Sequence, residues 1–430
     1  MRNLALIFAA GLFITSCSDN TIIDEPVIEE IVDDNSGEDN PSNVISIPRR
    51  DIVLTDIECT IQEQQMEFSL KFFNAAKKEF GNQNFVVSPY SVATALSMLT
   101  NGTSGNTASE LKTVLYGNNC TLAQLNEFNR RITSEITTLD NISQFEISNA
   151  VFYQYDLNIK TPFLDNNKTF YNALIAPVNF NDASIGTTLN KWISDATHGL
   201  ITSFPLYGED CIHIDNAIYF KSSWTVPFDK KDTKDAPFYN YDGSKSTVKM
   251  MHGYYFANTI DDKFAILKLD YGNRAFSMYI AYSIDEKDIS LNGIENILTT
   301  YNIKKRYTSP GIMMSGSGFI EIPKFEVKED NQIDDILKKI GIKDLFGQNA
   351  DLTEMFDLEK FGVAISHNCV LKVDESGSEG AALTDIGICS SPLGGTIYNP
   401  TSFTVDRPFV FWIAEKSTGT MLFMGQIVKM

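Results

Sequence analysis

Apolar residues recur at helical spacing in Met66, Leu70, Phe73 and Phe80, which predicts an amphipathic first helix with Lys77 and Lys78 toward water. The run Asn84-Phe-Val-Val-Ser88 then reads as a short buried strand. Ser88-Pro89 pairs a capping hydroxyl with a proline at the first helical position, and Val92, Ala95, Leu96 and Leu99 supply the buried face of a second helix. Gly102 and Gly105 are expected to end it, and Thr107-Ala-Ser-Glu110 has the pattern of a capping box opening a third helix. Further on, Ile212 to Phe220 is strand-like, and Ala265 to Leu269 with Ser277 to Ala281 flank the turn Tyr271-Gly-Asn-Arg274. Ile333, Ile336, Leu337 and Ile340 form a helical face stopped at Gly341. Phe409 to Ala414 and Met421 to Met424 predict a buried hairpin around Glu415 to Thr420. Strands and helices intermix without a βαβ rhythm, so the expected class is α+β.

One stretch breaks from this alternation of core elements. Between the strand-like Cys369 to Val373 and the apolar Phe409 to Ile413 lies Asp374-Glu-Ser-Gly-Ser-Glu-Gly-Ala-Ala-Leu-Thr384, then a turn-rich run to Pro400. Every second residue from Ser378 is small or apolar: Ser378, Gly380, Ala382, Thr384, Ile386 and Ile388. The other set holds Glu379, Ala381, Leu383, Asp385 and Gly387. Strand side chains alternate faces, so this loop is able to enter a sheet with its small set inward and its carboxylates in water.

Composition narrows the function. The 430 residues are 43% apolar, enough for a sizeable core, and the formal charge is −20, which argues against a nucleic-acid partner. At the N-terminus, Arg2, the apolar run Leu4 to Ile14 and Thr15-Ser-Cys17 read as a signal peptide over residues 1–16, the run being too short to span a bilayer. Ile14-Thr-Ser-Cys17 resembles a bacterial lipobox, which would make Cys17 the lipidated first residue, and Ser18-Asp19 resembles a surface-export signal of such lipoproteins. The expected address is therefore an outer-membrane lipoprotein, surface-exposed or extracellular, with the lipid on Cys17 as its membrane contact. From Ser18 to Ile47 there are nine carboxylates and no Lys or Arg, so residues 17–50 read as an acidic tether ahead of a folded domain at 51–430. The remaining cysteines, Cys59, Cys120, Cys211, Cys369 and Cys389, are widely spaced and suggest neither a disulfide scaffold nor a metal site. Cys211 and Cys369 fall in apolar strands, whereas Cys389 falls in the loop as a candidate reactive thiol.

Against this background the residues resemble those of the serpin family. Asn84 to Val87, Ser88-Pro-Tyr-Ser91 and Asn101-Gly-Thr103 look like its second-helix signature. The resemblance continues in order through Ile147 to Phe152, Leu189 to Ile201, Asp215 to Trp224, Val248 to Met251, Ile322-Pro-Lys-Phe325, a helix from Ile333 to Phe346, and the last two strands. It implies a large, mainly antiparallel central sheet, further sheets, surrounding helices and an exposed reactive loop at about 375–402. It also implies a monomer that acts as a suicide inhibitor of proteases, with target proteases as partners and no cofactor. Glu375 to Thr384 resembles the hinge of inhibitory members, carried here by Glu375, Gly377, Ser378, Gly380, Ala381, Ala382 and Thr384. Gly380 departs from the usual alanine: it is small enough to insert but has more backbone freedom to lose. Ser88, Ser91, Asn216 and His367 match the polar cluster beneath the opening of the central sheet, and Trp224 the tryptophan at its upper entry.

The scissile bond is less defined. Counting forward from Glu375 at the family's usual spacing reaches Ser391, while counting back from Arg407-Pro-Phe409 reaches Gly394 to Ile397. Candidate residues on the acyl side are Ile388, Cys389, Ser390, Ser391, Leu393 and Tyr398, with Ser391 disfavoured by Pro392 on the leaving side. No Lys or Arg lies between Thr384 and Arg407, so elastase-, chymotrypsin- or papain-like targets fit better than trypsin-like ones. An enzyme reading has little support. His198, His213, His252 and His367 belong to no zinc-protease helix, and there is neither a G-x-S-x-G elbow nor a P-loop. The alternative within the family is a non-inhibitory member that serves as a binding or structural surface protein.

Overall fold

The computed structural model describes residues 46–203, 206, 212–255, 258–261, 263–299, 318–348, 350–356, 365–378 and 402–430. Its helices are α1 (Asp56–Phe80), α2 (Pro89–Thr100), α3 (Gly105–Leu115), α4 (Leu122–Ile136), α5 (Thr161–Tyr171), α6 (Ile185–Ala196), α7 (Ile294–Ile297) and α8 (Asp334–Lys339). Its strands run β1 (Phe85–Val87), β2 (Gln144–Gln154), β3 (Leu174–Val178), β4 (Ile212–Ser223), β5 (Lys234–Tyr239), β6 (Lys245–Tyr255), β7 (Asn258–Asp261) and β8 (Phe264–Tyr271). They continue with β9 (Phe276–Ser283), β10 (Gly318–Pro323), β11 (Phe325–Gln332), β12 (Ser366–Asp374), β13 (Gly377–Ser378), β14 (Phe403–Thr404), β15 (Phe409–Glu415) and β16 (Met421–Ile427).

Among the described residues these strands form three sheets, ordered β1-β16-β15-β9-β8-β7, β14-β10-β6-β5 and β11-β12-β13-β4-β2-β3. The first is built on the C-terminal hairpin, whose strands are buried on both faces, which is why they read as unbroken apolar runs. Phe325 packs against both Phe409 and Phe411, joining that hairpin to the third sheet. The third sheet is antiparallel except for the β2–β3 pair. Its β12 alternates as a strand with one covered face should: His367, Cys369, Leu371 and Val373 are buried, while Lys372 points to water. A smaller apolar cluster on the sheet's far side seats Leu189 and Ile193 of α6 against Ala150, Phe152 and Ala217. The mixed architecture expected from the sequence is present.

Some boundaries differ from expectation. Thr107 and Glu110 do not form a capping box. The third helix starts earlier, at Gly105 with φ of +54°, and its N-cap Ser104 makes no side-chain cap. The Thr107 hydroxyl instead donates to Asp344, and Glu110 accepts the backbone N–H groups of Lys343 and Asp344. A cap-like pair is thus used as a tertiary clamp on the segment after α8. Gly105 accordingly opens a helix and does not close one, while α2 ends at Asn101. The helix expected from Ile333 to Phe346 is split: α8 stops before Gly341, whose φ is +115°, and a short 3₁₀ turn follows at Asp344–Phe346. Ser88 caps α2 by accepting the Ser91 N–H at 3.3 Å.

Candidate functional site: the parted central sheet and its hinge

At the top of the third sheet the chain leaves β12, turns through Glu375 and Ser376, and returns as β13 between β12 and β4. Asp374 Oδ1 accepts the Ser376 N–H at 2.8 Å and shapes that turn. Val373 then lies opposite Ser378 on one side, and Ser222 opposite Ser378 on the other. Gly377 has φ of +152°, and a Cβ there would fall 2.0 Å from the Ser222 carbonyl oxygen, so backbone conformation and close approach both demand glycine. Ser378 is fully buried and its Oγ meets the Tyr271 hydroxyl at 2.5 Å. This two-residue β13 is the only described element between β12 and β4.

The turn is held from several directions. Trp224 donates its backbone N–H to Ser376 O and its indole N–H to Asp374 O, at 3.0 and 2.9 Å, and stacks on Tyr271 at 4.5 Å between ring centroids. The Phe228 N–H donates to Glu375 O. The Glu375 carboxylate accepts from Lys324 Nζ at 2.7 Å and from the Thr233 hydroxyl at 2.9 Å. Burial opposes its ionisation, but the Lys324 ammonium, a backbone N–H and Thr233 together outweigh that and hold its carboxyl below the ordinary value. Its stabilising charge is therefore present above the usual carboxylate pKa and fades as pH falls through the depressed one. Lys324→Ala is expected to destabilise the native state by about 2–3 kcal/mol, because it strands a buried carboxylate. Adding Glu375→Gln should restore most of that loss, and thermal scans of the single and double variants check it.

Beneath the parting line sits the polar cluster. His367 Nε2 accepts the Ser88 backbone N–H at 2.9 Å. Ser88 Oγ donates to Leu422 O, and Ser91 Oγ to Asn216 O. Asn216 turns its amide N–H to Asn149 Oδ1 at 2.7 Å, and its own Oδ1 is buried with no hydrogen-bond partner among the described residues. The structure thus brings Ser88, Ser91, Asn216 and His367 together, with α2 bridging the histidine on β12 to the asparagine on β4. A cavity of about 20 Å³ lies between these strands, with Ser88, Ser91, Ile218 and Cys369 among its lining residues. Burial pushes the His367 imidazole down to about 4, and the same burial raises the Cys369 thiol. Since the folded His367 resists protonation, its contribution is complete above the unfolded value near 6.5 and is lost as pH falls toward 4. The native thermal midpoint is expected to drop over that window, corresponding to about 3 kcal/mol. His367→Gln should flatten the dependence, as scans from pH 7.5 to 4 would show.

Gly380, Ala381, Ala382 and Thr384 of the expected hinge, all six scissile candidates (Ile388, Cys389, Ser390, Ser391, Leu393 and Tyr398), and Cys17 and Cys211 lie outside the described residues. Cys59, Cys120 and Cys369 are buried. No described helix is long and apolar enough to cross a membrane, and no group of three metal-ligating side chains occurs among the described residues. No local pattern in the sequence singles out Lys324, Thr233, Tyr271 or Ser222. Lys324, Tyr271 and Ser222 stand inside the marked stretches Ile322 to Phe325, Tyr271 to Arg274 and Asp215 to Trp224, but nothing local announces their partners.

A family pattern described as Serpin (serine protease inhibitor) matches residues 63–430. The chain belongs to the serpin family. It is 28% identical over 372 residues to a leukocyte elastase inhibitor of Sus scrofa, covering 84% of this chain and 97% of that one. The Homo sapiens leukocyte elastase inhibitor is 29% identical over 372 residues, covering 84% and 96%. Intracellular coagulation inhibitor 2 of Tachypleus tridentatus is 30% identical over 357 residues, covering 80% and 85%. Among solved structures, the native thermophilic serpin Tengpin superposes with a TM-score of 0.76 at 21% identity, covering 89% of this chain and 97% of Tengpin. Native protease nexin-1 with heparin gives 0.73 at 26% identity, covering 87% and 100%. The serpin fold and membership of a protease inhibitor family follow from these matches.

Proposed function

We propose that this serpin is a suicide inhibitor of serine endopeptidases, and of papain-like cysteine endopeptidases, displayed on a bacterial surface through a lipid on Cys17. The observation that carries the inhibitory reading is the seating of Gly377 and Ser378 between β12 and β4, the start of a path that the following residues can extend. A protease nucleophile attacks the carbonyl of a residue in the 388–398 stretch, the amine half of the loop departs, and an acyl-enzyme remains on the N-terminal half. That half then adds as a strand, residue after residue past Ser378, a mode of recognition that serpin loop insertion exemplifies. The small inward set Gly380, Ala382 and Thr384 meets no steric or charge penalty on the way in. The bound protease is carried along and its catalytic geometry is lost before water releases the ester or thioester.

The similarity to leukocyte elastase inhibitors and the lack of Lys or Arg between Thr384 and Arg407 both favour elastase- or chymotrypsin-like targets. The test is to sequence the C-terminal fragment released on complex formation with elastase. Its first residue is expected to lie between Cys389 and Asn399, and trypsin should yield no complex through this stretch. Turnover of the chain by every protease tried, with no complex, would favour the non-inhibitory alternative.

A further inference from the structure

The turn that grips the hinge is itself held by the segment joining the acidic tether to the domain. Residues 46–54 run across the body as a strap. The Ile47 N–H donates to Asn141 Oδ1 at 3.0 Å, Arg50 pairs with Glu135 and donates to Thr138 Oγ1, and Arg131 donates to Val53 O. Ile52 is buried and its N–H donates to Ser417 Oγ. The Ile47 carbonyl accepts Asn273 Nδ2 at 3.2 Å, and the same amide donates to Leu139 O at 2.8 Å. Asn273 belongs to the turn Tyr271 to Arg274, whose first residue holds Ser378.

That turn has little slack. Asp140 is buried, and its Oδ2 accepts both the Asn273 N–H and the Ser143 hydroxyl. A Cβ at Gly272 would fall 1.9 Å from the same oxygen. The Gly272 N–H donates to Ser223 O, and the Thr225 hydroxyl to Gly272 O, tying the turn to the end of β4. Ser143 Oγ meets Ser222 Oγ at 2.6 Å, and Ser222 is the residue opposite Ser378. Two short routes therefore lead from the strap to Ser378, one through Asn273 and Tyr271 to its hydroxyl, the other from Asn141 through its neighbour Asp140, Ser143 and Ser222 to its backbone.

We infer that the turn Tyr271 to Arg274 is a clasp through which the strap at Ile47 positions the hinge, with Asn273 and Asp140 as positioning residues for loop insertion. The inference deepens the inhibitor reading, since the hinge matters only if residues beyond Ser378 follow it into the sheet. Freeing the strap loosens the grip of Tyr271 on Ser378 and makes residues 376–378 open more often, because local opening is governed by the contacts that a segment and its supports make.

The test is amide hydrogen exchange on the uncleaved chain, starting at Ser18, with Ile47→Pro and Asn273→Ala variants. A variant lacking residues 18–48 serves as the case in which the strap's first contacts are certainly absent. Removing one such hydrogen-bonded tie is expected to speed exchange at 376–378 about three- to tenfold, and the combination of deletion with Asn273→Ala to add little to Asn273→Ala alone. Unchanged exchange at 376–378 in the deletion variant overturns the inference, as does full additivity with Asn273→Ala. The same samples mixed with elastase keep the two readings apart. Exchange that responds to the strap while no covalent complex forms leaves the clasp standing and removes the inhibitor reading, and the reverse result does the opposite.

Discussion

Cutting the loop between Ile388 and Tyr398 is expected to raise the thermal unfolding midpoint by about 10 °C or more, although a covalent bond has been lost. Among the described residues only Gly377 and Ser378 stand between β12 and β4, and insertion would lengthen that two-residue strand. To distort the active site of a protease whose own stability is about 5–15 kcal/mol, insertion must release free energy of similar size. For a domain this large, a midpoint moves about 1 °C for each kcal/mol. New ladder bonds formed on insertion, with burial of Ala382, Ile386 and Ile388, would be the sources of that energy. A rise of that size would mark the native state as a kinetic trap above a more stable form. Calorimetry before and after limited cleavage checks this, and an unchanged or lower midpoint would count for the non-inhibitory alternative.

Ser378→Arg is expected to turn the inhibitor into a substrate. Ser378 is fully buried beside Tyr271, so an arginine there must either be buried without a partner, at a cost of several kcal/mol, or hold β13 out of the sheet. Insertion competes with deacylation, and each 1.4 kcal/mol added to the insertion barrier slows it tenfold. The ratio of gel-stable complex to cleaved chain should fall at least about tenfold. Ser378→Ala, which keeps the residue small, should retain most of the complex. A Ser378→Arg protein that forms complex at the original yield would mean that entry past Ser378 is not on the path.

Much of the scaffold is written locally. The apolar runs at 85–87, 409–415 and 421–427 are buried strands because no face of them meets water, and the Ser88-Pro89 helix start follows from capping geometry. Local patterning misleads where one chemical group has two possible uses. Thr107 and Glu110 have the spacing of a cap, yet they serve Asp344 and its neighbours more than 230 positions away. The alternation from Ser378 onward was visible because period-two patterning is a property of neighbouring residues. The hinge's supports were not visible. Lys324 reaches Glu375 across 51 positions, Tyr271 reaches Ser378 across 107 and Thr233 reaches Glu375 across 142, and none of these residue types is unusual in its own surroundings. Nothing in the sequence around Asn216 announces that its Oδ1 is buried without a hydrogen-bond partner among the described residues.

The central claim is that a protease is trapped as an acyl-enzyme by insertion of the strand that begins at Ser378. The most direct measurement is intact-mass analysis of the chain incubated with elastase and denatured at once. The expected species has the summed mass of elastase and the chain up to a residue between Ile388 and Tyr398, less one water, joined by an ester that survives denaturation and breaks in base. Finding only unmodified elastase alongside both halves of a cleaved chain would contradict the account.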